Sequence, residues 1–433
     1  MKSPTTSIPS YQNQFGFLTI EIIIAFSLFI LFTISIFALD TSMNQLRIWS
    51  VNRLVYIKES IEKLGTSTTT YKYGNDSVIV MSGPISIAQS NYSNAWGQSS
   101  CSSRISFDKN KLTLNTRGIN LGVGNVSTSI EVRDSIAYLT ANGSSQAQPD
   151  LYIVDATQVR PAVISSLNTG PGLSALALAL PYIYVANQST TAQMQIIDAH
   201  SRGVLKVVGE LKLPLPQAST TPSIGKSIFY RNGYVYLGTT KWDGPEFYVI
   251  NVSNPKVPVI VGSFETNTLV NDIYVIDNTA YLATSDEYQM RVLDISDKNN
   301  PQLTYTSSPS GWQTQEGKIV DYFEDVLSLG RTVGGFNVTT NHEAFIFSSS
   351  SPQSVAYSTD IPSGVYGIIN RNPYIYLLTH TPGAEFQVFS NDLGSKVHAM
   401  SVSSSTPVAM ACDWSTLYFA TGDSKGLSIL KLQ

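Results

Sequence analysis

VNDIYVIDNTAYLATSDEYQMRVLDISDKNNPQLTYTSS, residues 270–308, reads as four short strands with turns between them. The runs DIYVID, TAYLAT, MRVLDIS and QLTYTS are rich in β-branched and aromatic residues, and turn-forming Asp, Asn, Ser and Pro cluster where each run stops. The second run recurs as IAYLTA around Tyr138, IYVAN around Tyr184, VYLGT around Tyr236, IYLLT around Tyr376 and LYFAT around Tyr418. A degenerate copy, DVLSLGRT, sits around Leu327. Successive marks stand 42 to 52 residues apart. That is the length of one four-stranded blade, so the spacing predicts a mainly β protein with a seven-bladed β-propeller over residues 119–433.

The third run recurs as well, as LYIVDA near Asp155, QIIDA near Asp198, YVINVSNP near Asn251, FQVFSN near Ser390 and LSILKL around Leu430. AYLA, a short turn, RVLDIS and then a proline resembles the LVIVD-type repeat of bacterial surface propellers, best in blades three and four and weakest in five and six. Leu430, Lys431 and Leu432 fall in the third strand of the last blade. A missing fourth strand would leave a sheet edge open. The expectation is that residues near Ile119 to Asn125 supply it and close the ring.

Ahead of the repeats, GFLTIEIIIAFSLFILFTISIFAL spans residues 16–39 and carries no charge from Ile22 to Leu39. About 20 apolar residues suffice to cross a hydrocarbon core as a helix, which predicts a transmembrane segment over about 18–39. Met43, Leu46, Leu54, Ile57, Ile61 and Leu64 continue a helical stripe in polar company, and Lys63 and Gly65 form a stop. One long helix, half apolar and half amphipathic, is therefore expected over residues 17–65. TSTTT at 66–70 reads as a linker. Residues 71–118 hold short strand candidates, including SVIVMSG at 77–83 and a hairpin at 103–116 turning over Asp108 to Lys111.

Glu21 is a carboxylate at the edge of the apolar run, where it is costly unless paired. A cut between Gly16 and Phe17 would make it the fifth residue of a chain beginning with a free ammonium. Gly16, Phe17 and Glu21 together resemble the type IV prepilin signal, although Leu18 and Thr19 stand in the reverse of the family's usual order. A secretory signal peptide and a plain anchor are the alternatives, but the run is too long for the first and no A-x-A-like site follows it. The resemblance implies a leader over residues 1–16, cleavage between Gly16 and Phe17 by a prepilin peptidase, and N-methylation of Phe17. It also implies that Glu21 guides assembly with other pilin subunits, and that residues 66–118 form a small pilin-like sheet. The protein would sit in the inner membrane as a single-pass subunit before assembly, and then in an extracellular pilus or on the cell surface.

Charged residues are scarce and the net charge is -4, so Ser, Thr, Asn and Tyr must cover the surface. Such a surface argues against nucleic acid as a partner. Cys101 and Cys412 match no zinc spacing and permit one disulfide outside the cytoplasm. Gly422 to Gly426 matches GxSxG around Ser424, but no Asp, Glu or His follows, so a strand-to-strand turn is expected. His200, His342, His380 and His398 are scattered over different blades, and Asp294, Asp297, Asn299 and Asn300 lack calcium-loop order. Both groups read as surface, packing or turn residues. The recurrent tyrosines read as cross-strand packing.

No catalytic constellation, cofactor or metal site emerges, and the expected function is not enzymatic. It is a minor pilin or pseudopilin that displays a propeller, at a filament tip, for binding an extracellular protein or glycan. The alternatives are a membrane-anchored propeller enzyme or sensor, marked by ionisable side chains converging at one mouth, and a structural pseudopilin of a type II secretion system.

Overall fold

The computed structural model describes strands 68–73 and 76–81 and, with a few short gaps, residues 100–432; the gaps are 103–104, 106, 144–146, 202, 217–221, 310–314, 333–341 and 349–350. The expected helix over 17–65, with Gly16, Phe17 and Glu21, lies outside the described residues. The chain divides into two compact units, Met1–Gln89 and Ser90–Gln433. In the first, Thr68–Tyr73 pairs antiparallel with Asp76–Met81. Part of the expected TSTTT linker is thus strand, in keeping with the β preference of consecutive threonines.

The second unit is a seven-bladed β-propeller. Blade four consists of Val270–Ile276, Thr279–Thr284, Met290–Asp294 and Gln302–Ser307, paired in that order from the channel outward. These are the four runs read from the sequence. The innermost strands of the seven blades are Ser127–Arg133, Leu173–Ala179, Gly225–Arg231, Val270–Ile276, Gly317–Phe323, Val365–Arg371 and Pro407–Trp414.

Burial explains why the second strands carry the repeat signal. Each is clasped between two strands of its own sheet and between two neighbouring blades, so nearly every residue of IAYLTA, TAYLAT or YIYLLT is buried. Fully buried strands read as apolar runs rather than alternations. Tyr138, Tyr184, Tyr236, Tyr281, Tyr376 and Tyr418 all lie in the core. Outer strands face water and vary, as the pattern of Ala162–Leu167 shows.

Aspartates join blade to blade around the channel. Asp272 accepts the N–H of Val320 at 2.9 Å, Asp321 that of Asn370 at 2.9 Å, and Asp413 that of Ser135 at 2.6 Å. The last of these spans the junction of blades seven and one.

The ring closes differently from expectation. The fourth strand of blade seven is Thr113–Asn115, antiparallel to Leu427–Lys431 with Leu114 opposite Leu430. Residues Ile119 and Leu121 instead donate to the carbonyls of Lys425 and Ser424 in the neighbouring turn. The alternation of LTLNT suits a strand, whereas Gly118, Gly122 and Gly124 all take positive φ, which breaks one. A fifth, short strand, Ser100–Cys101, runs parallel to Asp413–Trp414 at the inner edge. Both short strands precede residue 119, where the sequence places the start of the propeller. Between them the chain buries Ile105 and packs Phe107 against Tyr374, 5.8 Å between ring centroids. The Asp108 to Lys111 turn is present, with Lys111 N–H donating to Asp108 O, but the expected hairpin over 103–116 is not: Thr113–Asn115 pairs with Leu427–Lys431 instead of back across the turn. Cys101 and Cys412 are joined by a disulfide, with Cα atoms 5.2 Å apart.

Candidate functional site

Every innermost strand has a register shift after its first residue, so one residue is bulged out of the pairing at the same place in all seven blades. The bulged residues are Thr128, Ser174, Lys226, Asn271, Lys318, Tyr366 and Val408, each partly exposed. Bulges re-aim side chains. Here they form a ring at the upper mouth of the channel, where the innermost strands begin. The chain enters the propeller at the opposite end, since Ser100–Cys101 pairs with the last residues of a blade-seven innermost strand.

Glycine makes one of these bulges possible. A Cβ on Gly317 would stand 1.8 Å from the carbonyl oxygen of Gln289, so only glycine lets the strand pass there. Lys318 follows it directly.

Ionisable side chains converge on this ring. Lys318 Nζ lies 3.5 Å from Asn271 Oδ1, while Asn271 Nδ2 donates to Ser285 Oγ at 2.7 Å and Gly317 O at 2.8 Å. Burial pushes the Lys226 ammonium below its usual range; Lys318 lowers it further and Glu316 opposes. Tyr366 stacks on His380 with ring centroids 3.5 Å apart and planes 7° from parallel. Burial raises the Tyr366 hydroxyl, with Glu316 adding. His380 Nε2 donates to Pro407 O at 3.2 Å, and burial, aided by Lys318, lowers its affinity for a proton. The neutral ring thereby uses one nitrogen on the backbone and one face on Tyr366. Neither contact activates a nucleophile.

The remaining sequence candidates do not gather. His200 bonds Asp198 at 2.6 Å, His342 faces Ser358, and His398 packs on Phe107. Asp294 and Asp297 each cap a turn, accepting the N–H of Ser296 and of Asn299. Ser424 lies exposed in a strand-to-strand turn, where Asp423 accepts the N–H groups of Lys425 and Gly426. Among the described residues no cluster of three or more His, Cys, Asp or Glu is placed to hold a metal.

Sequence reading missed the ring and treated His380 as packing. Its signal lies in the second position of each innermost strand, in GKS, VND, GKI and VYG. It also missed a buried acid or amide that precedes six of the third strands, at Asp150, Gln193, Glu246, Gln289, Glu343 and Glu385. Asp150 and Glu246 each take the N–H and hydroxyl of a threonine, Thr169 and Thr266, in the loop after the outer strand. Those loops form the upper face, so the acids hold its rim.

Known structures share this architecture at very low identity. The crystal structure of the computationally designed Ika8 protein is 12% identical, with a TM-score of 0.52, covering 78% of this chain and 98% of that one. The RRP9 WD40 repeats match at 10% identity and TM-score 0.55, covering 78% of this chain and 100% of theirs. U3-55K matches at 11% identity and TM-score 0.55, over 76% of this chain and 100% of that one. No protein-family model matches the sequence, and no curated protein matches it. The molecule is thus a seven-bladed β-propeller protein.

Proposed function

We propose that this protein is a minor type IV pilin or pseudopilin that carries the propeller as an extracellular binding head. The observation that carries the binding role is the ring of bulged residues at the upper mouth, which gathers Lys226, Lys318, Tyr366 and His380 at the end opposite the chain's point of entry. The display role rests on the prepilin-like Gly16, Phe17 and Glu21 and the apolar run behind them. The partners on this reading are a prepilin peptidase, neighbouring pilin subunits, the inner membrane before assembly and an extracellular ligand.

Size argues for a tip position. Packed helices stand about 8–10 Å apart, whereas two blades of four strands spaced about 4.8 Å, on either side of a central channel, make a disc roughly 45 Å wide. Such discs cannot crowd on every helix of a filament core. Immunogold labelling against the propeller tests this: signal confined to filament ends supports it, and uniform decoration of the shaft refutes it. The mature N-terminus at Phe17, and loss of filament incorporation in Glu21→Ala with cleavage intact, are the companion expectations.

A membrane-anchored sensor or enzyme is the second reading, favoured by the convergence of ionisable side chains at one mouth.

A further inference from the structure

Two lysines on the same ring pose an electrostatic problem. Lys226 and Lys318 occupy equivalent bulges two blades apart, both half-buried, and each carries a positive charge toward the same mouth. Glu316, two residues before Lys318 in the chain, stands near Lys226 and Tyr366. One carboxylate offsets one of the two ammonium groups. Like charges held together in a partly desolvated place are unfavourable unless an anion joins them.

The surroundings say what kind of anion fits. Ser174 gives the ring a hydroxyl, and Tyr366, backed by His380, gives it a half-exposed aromatic ring. Lysines at separate points, rather than arginine forks, contact an anion as point charges. A hydroxyl, an aromatic face and a cation pair at one mouth match a sugar bearing a carboxylate better than the broad contact a folded protein requires.

We propose that the upper mouth binds a carboxylated sugar residue of a surface glycan, with Lys226 and Lys318 on its carboxylate and Tyr366 beside its ring. This rests on the reading of the propeller as a binding head and names its ligand class.

The test uses the full chain in detergent micelles and isothermal titration with three probes. These are a tetramer of galacturonic acid, its fully methyl-esterified counterpart and a tetraglutamate peptide. The acidic tetramer should bind, with affinity falling as salt rises, and the esterified one should bind at least about tenfold more weakly. Lys226→Met and Lys318→Met should each weaken the acidic sugar about tenfold or more. Lys206→Met, on an exposed outer strand, should not. Unchanged melting temperatures confirm that the variants fold. Equal binding of the charged and esterified tetramers, or lysine variants that bind as wild type does, overturns the proposal. Tetraglutamate binding without the sugar overturns the glycan and leaves a peptide carboxylate. If no probe binds while immunogold still marks filament tips, the ligand class is wrong and the display reading stands.

Discussion

Replacing Asp272 with Asn should flatten the pH dependence of the propeller's stability. Asp272 lies on the innermost strand of blade four and accepts the backbone N–H of Val320 at 2.9 Å. Burial lifts its carboxyl from 3.8 to about 7, and the nearby Asp321 adds to the rise. A carboxyl whose folded pKa exceeds its unfolded value contributes stability that is fully present below the unfolded value. That contribution is lost as pH climbs through the folded value, so the loss here runs from about pH 4 to about pH 7. A shift of about three units corresponds to about 4 kcal/mol at 1.36 kcal/mol per unit, and relaxation and water penetration around a buried carboxylate cut that to on the order of 1–2 kcal/mol. Glu131, Glu246 and Glu343, each raised to about 7, and Asp150, raised to about 6, act in the same sense. Urea unfolding followed by tryptophan fluorescence at pH 5 and pH 8 measures the effect. Wild type should be more stable at the lower pH, and Asp272→Asn, whose amide oxygen can still accept from Val320, should lose part of that difference. A wild type equally or more stable at pH 8, or a variant with the same fall, would refute the reasoning.

Three further outcomes are expected. Cys412→Ser removes a crosslink between residues 311 apart in sequence and should lower unfolding free energy by about 2–5 kcal/mol, matched by reductant on wild type and seen in denaturant melts. A chain starting at residue 119 lacks Cys101, Ile105 and the closing strand Thr113–Asn115, so it should aggregate on size-exclusion chromatography where a chain starting at residue 90 elutes as a compact monomer. Gly317→Ala forces a methyl to within 1.8 Å of the Gln289 carbonyl and should cost about 1–3 kcal/mol or more, visible as a lowered melting temperature.

The propeller was legible because its second strands are buried on both faces, which confines them to apolar residues and leaves a mark at each blade. Leu327 shows the limit, since VLSLGR keeps the burial without the tyrosine. The closing strand was harder to place. Thr113–Asn115 is three residues long and its partner lies over three hundred residues away, so no local pattern names it. The upper mouth was harder still. Lys226, Lys318 and Tyr366 differ in chemistry, and what unites them is a bulge in the pairing register, which exists only once the strands are laid side by side. The blade-joining aspartates share that character, because Asp272, Asp321 and Asp413 occupy different levels of their strands and meet the next blade's backbone.

The disulfide and the closing strand divide the work of holding the ring. Thr113–Asn115 contributes three paired residues to the outer edge of blade seven, a strand that tension along the chain could unzip one pair at a time. Cys101 lies upstream of it and is bonded to Cys412 on the innermost strand of the same blade. Tension applied to the chain before residue 100 therefore passes through the sulfur bridge into Cys412, whose strand is paired with Thr416–Thr421 and whose neighbour Asp413 holds Ser135 of blade one. Residues 102–126 lie outside that path, and the closing strand stays unloaded. A disulfide persists only outside a reducing compartment, so this load path exists only where the bridge is oxidised.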